Sequence, residues 1–172
     1  MQLESIAKKT MGLKSFRVEK VLVVDKQLNL YIVPRRRSLP VCSVCGRKRP
    51  MCDKLRPRSW RHVKLWGIET FIIYSPRRVN CPVCGIKVEK IPWSMGKSSL
   101  SMPLIDTFQR MVKYLSFNDA ARLFDVSWNT VRAAVLVFFD APAPADVIIL
   151  LKNLAKNKYT SGSLATILRV QS

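Results

Sequence analysis

"CPVCGIKVEKIPW", residues 81–93, sets two cysteines three positions apart, just ahead of a Pro-Trp pair, in a chain rich in lysine and arginine. Upstream, "VCSVCGRKRP" (41–50) repeats the arrangement, and glycine follows the second cysteine each time, as Gly46 and Gly85. A Cys-x-x-Cys turn aims two thiolates at one ion, and a glycine next in line accepts the left-handed backbone that the turn produces. Four thiolates at tetrahedral spacing satisfy a structural Zn²⁺ and leave no open position for water. Cys42, Cys45, Cys81 and Cys84 are therefore the expected zinc ligands, against the alternative of four unconnected thiols in a reducing compartment. The 35 residues between the pairs exceed the ~15–20 of compact four-cysteine sites. They must fold back on themselves, and "RHVKLWGIETFIIYS" (61–75) can supply the strands of a hairpin. Cys52 and His62 lie inside this loop; two complete knuckles leave them as a spare thiol and a packed or phosphate-facing imidazole. No thioredoxin-like βαβ pattern surrounds either pair, so a redox role is not expected.

On the N-terminal side, "VEKVLVVDKQLNLYIV" (18–33) holds two β-rich runs parted by Asp25, Lys26 and Gln27. Val21, Val23, Leu28, Leu30 and Ile32 alternate as a half-buried hairpin requires. Pro34 ends the second run, and a further strand, "IETFIIYS" (68–75), stops at Pro76. From Ser101 the period becomes helical, with a boundary expected in "GKSSLS" (96–101). Leu104, Ile105, Phe108, Met111, Val112 and Leu115 recur at helical spacing behind Pro103. A shorter helix, "NDAARLF" (118–124), turns Ala120, Leu123 and Phe124 to one side. A third begins after Ser127, a good N-cap, and points Trp128, Val131, Val135 and Phe138 inward. After "APAPA" (141–145), Asp146 can cap a helix with Val147, Leu150, Leu151 and Leu154.

The expected fold is α+β: a small β-rich zinc-ribbon domain, then a helix-turn-helix bundle and a short helical tail. Its parts are residues 1–98, with the ribbon core about 40–93, then 101–139, then 140–172. The helix pair has the rhythm of a DNA reader, with Asn129, Thr130 and Arg132 near the start of its second helix, where recognition helices touch base edges. Its turn lacks the favoured glycine.

Charge points the same way. Of the 172 residues 48% are hydrophobic, enough to fold, and the net charge is +19. The imbalance is concentrated in the first 100 residues, with 22 Lys/Arg against 6 Asp/Glu. Such a field attracts polyanions, and counterion release from phosphates is the usual gain. Double-stranded DNA is the leading partner; a membrane is the weaker one, since no basic amphipathic helix lies near the N-terminus, and a small-molecule substrate is not expected. The clusters "PRRR" (34–37), "RPRSWRH" (56–62) and "PRRV" (76–79) interleave with Trp60, Trp66 and Tyr74 around the expected metal site. Arg35, Arg36, Arg37, Arg58, Arg61, Arg77 and Arg78 are thus expected on DNA phosphates. No signal-peptide run opens the chain, and "AAVLVFF" and "VIILL" fall far short of the ~20 residues that span a bilayer. A cytoplasmic, nucleoid-associated protein is expected.

The series "GLKSFRVEKVLVVDKQLNLYIVPRRR", Cys-x-x-Cys, "LRPRSWRHVKLWG", "YSPRRVNCPVCG", "EKIPW" and "VSWNTVR" resembles the N-terminal half of insertion-sequence transposases of the ISL-three family, over roughly residues 10–136. The resemblance implies a zinc ribbon on Cys42, Cys45, Cys81 and Cys84 and a helix-turn-helix over 118–138, together recognising the element's terminal inverted repeats. It also implies a downstream ribonuclease-H-like domain that cuts and joins DNA with three metal-binding carboxylates. After Glu89 this chain has no glutamate, and beyond the helix pair only Asp140 and Asp146 are acidic, too few for two-metal chemistry. The expectation is a truncated transposase that binds DNA without strand transfer, with itself or an intact transposase copy as protein partner. A stand-alone transcriptional regulator and an RNA-binding zinc-ribbon protein are the alternatives.

Overall fold

The computed structural model describes residues 13–136. Seven strands precede three helices: β1 (Phe16–Val24), β2 (Gln27–Pro34), β3 (Met51–Lys54), β4 (Arg58–Leu65), β5 (Ile68–Tyr74), β6 (Arg77–Cys81), β7 (Gly85–Val88), α1 (Met102–Met111), α2 (Phe117–Phe124) and α3 (Trp128–Leu136). They divide into two compact units between Thr107 and Phe108, inside α1. The expected tail, 140–172, with its helix from Asp146, and the inward Phe138 lie outside the described residues.

The first unit holds two sheets. In the larger, ordered β1-β2-β5-β4, each outer pair is an antiparallel hairpin, and β2 and β5 join them in parallel, pairing Leu28 with Thr70 and Leu30 with Ile72. Both hairpins close on two residues with positive φ: Asp25 (48°) and Lys26 (60°) in one, Trp66 (51°) and Gly67 (77°) in the other. Positive φ at both central residues gives the turn whose twist matches that of paired strands. Trp66, expected near the metal, therefore stands exposed at a hairpin tip. Leu28, Leu30 and Ile32 are buried as that alternation requires, but Val23 is 65% exposed. A bulge between Val18 and Lys20 shifts the register of β1 so that Val21 stands opposite Leu30 and Val23 opposite Leu28; Val23 thus shares the apolar face but sits at the hairpin end, beside the Asp25–Lys26 turn, where little covers it.

Aromatic rings fill the core of this sheet. Trp93, of the Pro-Trp pair, lies edge-to-face against Phe16 (5.0 Å), Tyr74 (5.5 Å) and Trp60 (6.2 Å). The Trp60 indole N–H donates to Ser94 Oγ at 2.8 Å. Trp60 and Tyr74 thus belong to a hydrophobic core rather than to a surface around the metal. The segment 99–101 lies along β4: Arg61 N–H donates to Ser99 O (2.8 Å) and Ser101 N–H to Arg61 O (2.9 Å). Behind it His62 is buried, with Nδ1 2.8 Å from Ser101 Oγ. Burial alone lowers its pKa to about 4, so the imidazole is neutral and packed, not phosphate-facing.

The second sheet, β3-β6-β7, is the ribbon. The hairpin expected between the two cysteine pairs exists as β4–β5, but it belongs to the other sheet. The ribbon itself has almost no apolar interior: every residue of β7 is exposed, and its buried cluster is Cys42, Val79 and Cys81.

In the second unit, α2 starts at Ser116, whose hydroxyl accepts from Asp119 N–H (3.1 Å). It ends at Asp125, in the left-handed region (φ 52°, ψ 53°). Aspartate thus occupies the conformation for which glycine is favoured. After a three-residue turn, Ser127 caps α3 by accepting from Thr130 N–H at 3.2 Å. Ala120, Ala121, Val131, Ala134 and Val135 are buried, and Phe108 meets Phe124 edge-on at 5.1 Å. Leu123 and Trp128, expected inward, are 56% and 46% exposed; Ala121 and Ala134 take the inward places.

Candidate metal centre and basic surface

The first knuckle is a tight loop ahead of β3. Gly46 N–H donates to Cys42 O (3.0 Å), Cys42 N–H to Arg47 O (2.9 Å), and Val41 bridges to Lys48. The second is the β6–β7 turn, closed by the Cys81–Gly85 pair. A bridge from Cys42 to Glu89 and a bond from Lys90 N–H to Val41 O (2.7 Å) hold the knuckles face to face. Gly46 and Gly85 have φ of 69° and 73°, and nothing lies within 4 Å of the site of a Cβ at either, so conformation and not space asks for glycine.

The four Sγ atoms of Cys42, Cys45, Cys81 and Cys84 all lie within 4.8 Å of one another. Cys45 and Cys81 are 3.6 Å apart; a Zn²⁺ with four sulfurs at ~2.3 Å has S–S edges of about 3.8 Å, so the donors fit the ion. Their ionisation is unequal. N–H groups of Cys45 and Val44 lower the Cys42 thiol. Burial opposes ionisation of Cys81, but the N–H groups of Cys84 and Val83 and the thiols of Cys45 and Cys84 outweigh it and bring it to about 6. Burial first, then the other three sulfurs, push Cys84 to about 12. Ionisation is thus favoured at Cys42 and Cys81 and opposed at Cys84, and a divalent cation is what lets all four sulfurs ionise together. Among the described residues this is the one group of three or more metal-ligating side chains. Cys52 is exposed and stands apart from it.

The arginines have separate fates. Arg77, expected on phosphate, is buried: Nη2 donates to Glu89 Oε2 (2.7 Å), Nε to both Glu89 oxygens (3.1 and 3.0 Å), and Nη1 to Ser38 O (2.8 Å). Tyr74 OH also donates to Glu89, and burial together with that carboxylate drives the phenol pKa up. A buried pair satisfied on every side fixes geometry, and removing one partner strands a charge at about 3–5 kcal/mol. Arg78 forks onto Asp53, whose pKa it lowers, and Arg61 pairs with Glu69. Arg58 lies 4.9 Å over the Trp60 ring and donates to Lys97 O and Ser98 O. Arg35, Arg36 and Arg37 are exposed as expected. Asn129 is exposed and Arg132 half-buried on the first turns of α3, while the Thr130 hydroxyl is 2.9 Å from Ser127 Oγ. Glu89 escaped the sequence reading; its signal was to be the last glutamate, in a stretch otherwise basic and apolar.

Comparison with known proteins places this geometry. Residues 38–84 match the family model described as the zinc-finger of transposase IS204/IS1001/IS1096/IS1165. Over 103 residues the chain is 31% identical to the transposase for insertion sequence element IS1557 from each of two strains of Mycobacterium tuberculosis. The match takes in 59% of this chain and 23% of that relative, so the chain spans less than a quarter of the relatives' length. No solved structure matches. The chain carries a zinc ribbon similar to that of these transposases, and Zn²⁺ is its structural ion. Among the described residues no helix is long and apolar enough to cross a membrane.

Proposed function

We propose, from the kinship of its ribbon with ISL-three-type transposases, that residues 13–136 recognise duplex DNA at the terminal inverted repeats of an insertion sequence. The observation that carries this reading is a transposase zinc ribbon in a chain of net charge +19. Zinc holds the ribbon in shape and takes no part in chemistry. Arg35, Arg36 and Arg37 contact phosphates. The helices α2 and α3 act as a helix-turn-helix whose second member offers Asn129 and Arg132 to base edges; its capped start and three-residue turn support that role. Arg77 leaves the set of phosphate contacts because its guanidinium is buried, and Arg61 and Arg78 contribute less because carboxylates neutralise them.

Selection of bound duplexes from a random pool, with and without a zinc chelator, tests the reading. One sequence related to the ends of the element should be enriched, and chelation should abolish the enrichment. Arg132→Ala should relax sequence preference, whereas Arg36→Ala should weaken all duplexes alike. Recovery of unrelated duplexes by the zinc-loaded protein would refute sequence recognition.

A further inference from the structure

Beside the first knuckle lies a cleft of about 300 Å³ lined by Lys14, Ser15, Arg35, Arg37, Ser38, Leu39 and Lys48. Four cations line it and no carboxylate does. Among the described residues none of the four makes an ion pair, in contrast to Arg61, Arg77 and Arg78. Cations gathered without counter-charge repel one another, and an anion seated among them removes that repulsion.

The walls come from three stretches distant in sequence, held in place by hydrogen bonds. Arg35 N–H donates to Ser15 O (3.0 Å), which ties the Lys14 stretch to the end of β2. Ser38 N–H donates to Arg35 O (2.8 Å), closing the turn that carries Arg35 and Arg37. Arg77 Nη1 donates to Ser38 O (2.8 Å), so the buried Arg77–Glu89 pair props that turn from beneath. Lys48 is set by the first knuckle through the Val41 bridge and the bond from Arg49 N–H to Pro40 O (2.9 Å). At about 300 Å³ the cleft has room for a partly hydrated phosphate group.

We propose that this cleft is a phosphate clasp that seats one backbone phosphate of duplex DNA between Lys14, Arg35, Arg37 and Lys48. It rests on the DNA-binding reading above and adds two residues to it, Lys14 and Lys48. Arg77 acts here as a positioning residue, and the ribbon's ion acts at a distance by holding Lys48 in the wall.

The test measures binding of a random-sequence 20-base-pair duplex to the zinc-loaded full chain across a salt series. Lys48→Gln, Lys14→Gln and the double variant Arg35→Gln/Arg37→Gln are compared with Lys20→Gln, a charge-matched change on β1. Because the clasp seats a single phosphate, its variants should flatten the slope of log K against log salt by up to about 0.9, and by no more than that when combined. Lys20→Gln should leave the slope near wild type. Equal flattening by Lys20→Gln and Lys48→Gln, or none by either, would overturn the clasp while leaving DNA binding intact. Failure of the wild type to bind any duplex would instead sink the underlying reading. A second measurement does not use DNA: titration with inorganic phosphate, followed by amide NMR, should move the signals of Ser15, Ser38 and Lys48 and spare those of β1. Unmoved signals there also overturn the proposal; zinc stoichiometry for the ribbon and the urea midpoint for the larger sheet show that each variant has kept its fold.

Discussion

The two sheets of the first unit are neighbours in sequence and opposites in what holds them. The β1-β2-β5-β4 sheet rests on rings: Phe16, Trp60, Tyr74 and Trp93 are almost wholly buried. The β3-β6-β7 ribbon buries Cys42, Val79 and Cys81 and little else, and leaves Val44, Val83 and Ile86 in solvent. A hydrophobic core scales with the apolar area it removes from water, and a ribbon this thin cannot supply that area. It substitutes an ion, whose affinity becomes folding free energy.

The largest effect expected from this contrast is selective collapse on metal removal. Structural zinc in small domains contributes about 10–16 kcal/mol of apparent binding energy at neutral pH. A strong chelator, or Cys81→Ser, should therefore abolish amide protection in 41–54 and 77–90 while β1, β2, β4 and β5 keep theirs in hydrogen exchange. Simultaneous loss of both sheets would show that they share one source of stability and would break the comparison. Trp93→Ala is the reciprocal change. It should destabilise the aromatic sheet by about 3–5 kcal/mol, read as a lower urea midpoint, while the ribbon still takes up one zinc ion per chain.

Acid separates the two more finely. His62 titrates near 4 in the fold against 6.5 as a free side chain. Between these values the unfolded chain binds the proton and the native one does not. Stability is then whole above about pH 6.5 and declines as pH falls toward 4, by roughly 2 kcal/mol at pH 5. His62→Gln should remove this loss from the sheet and leave the acid release of zinc unchanged; parallel pH profiles for the two proteins would contradict it. The smallest effect comes from a matched pair of glycines. Gly67 ends the β4–β5 hairpin and Gly85 the second knuckle, at φ of 77° and 73°, with open space around both. Alanine at either carries a conformational penalty of about 1 kcal/mol. Gly67→Ala should register in the urea midpoint and Gly85→Ala as faster loss of zinc to a competing chelator.

Local chemistry was readable along the chain, and partnership across it was not. The knuckles announce themselves because Cys-x-x-Cys-Gly is a self-contained turn, and both hairpins follow from β-rich runs with short breaks. The parallel junction of β2 with β5 leaves no mark, since it depends on which strand edges meet after folding. Val23 keeps to the apolar side, opposite Leu28, yet the end of the hairpin leaves it uncovered, and alternation alone does not show where a core stops. Arg77 and Arg78 look alike in "PRRV", yet strand alternation sends one inward to Glu89 and the other outward to Asp53. The basic clusters were visible as charge; their division into props, neutralised pairs and open cations required the acids to be located in space. Asp125 shows a further limit, because a turn expected to want glycine was made by aspartate.

The spacing of the two knuckles also has a consequence during synthesis. Cys45 leaves the ribosome 36 residues ahead of Cys81, which at ~5–20 residues per second is roughly 2–7 s. Throughout that interval the nascent chain presents half of a coordination shell, a weak chelate open to oxidation and to other metals. The β4–β5 hairpin is made in the same interval, and its docking on β2 brings the returning strand β6 toward the waiting thiols. Zinc capture is therefore a late event in the life of the new chain, and a cell short of zinc would accumulate a protein whose aromatic sheet is finished and whose ribbon is not.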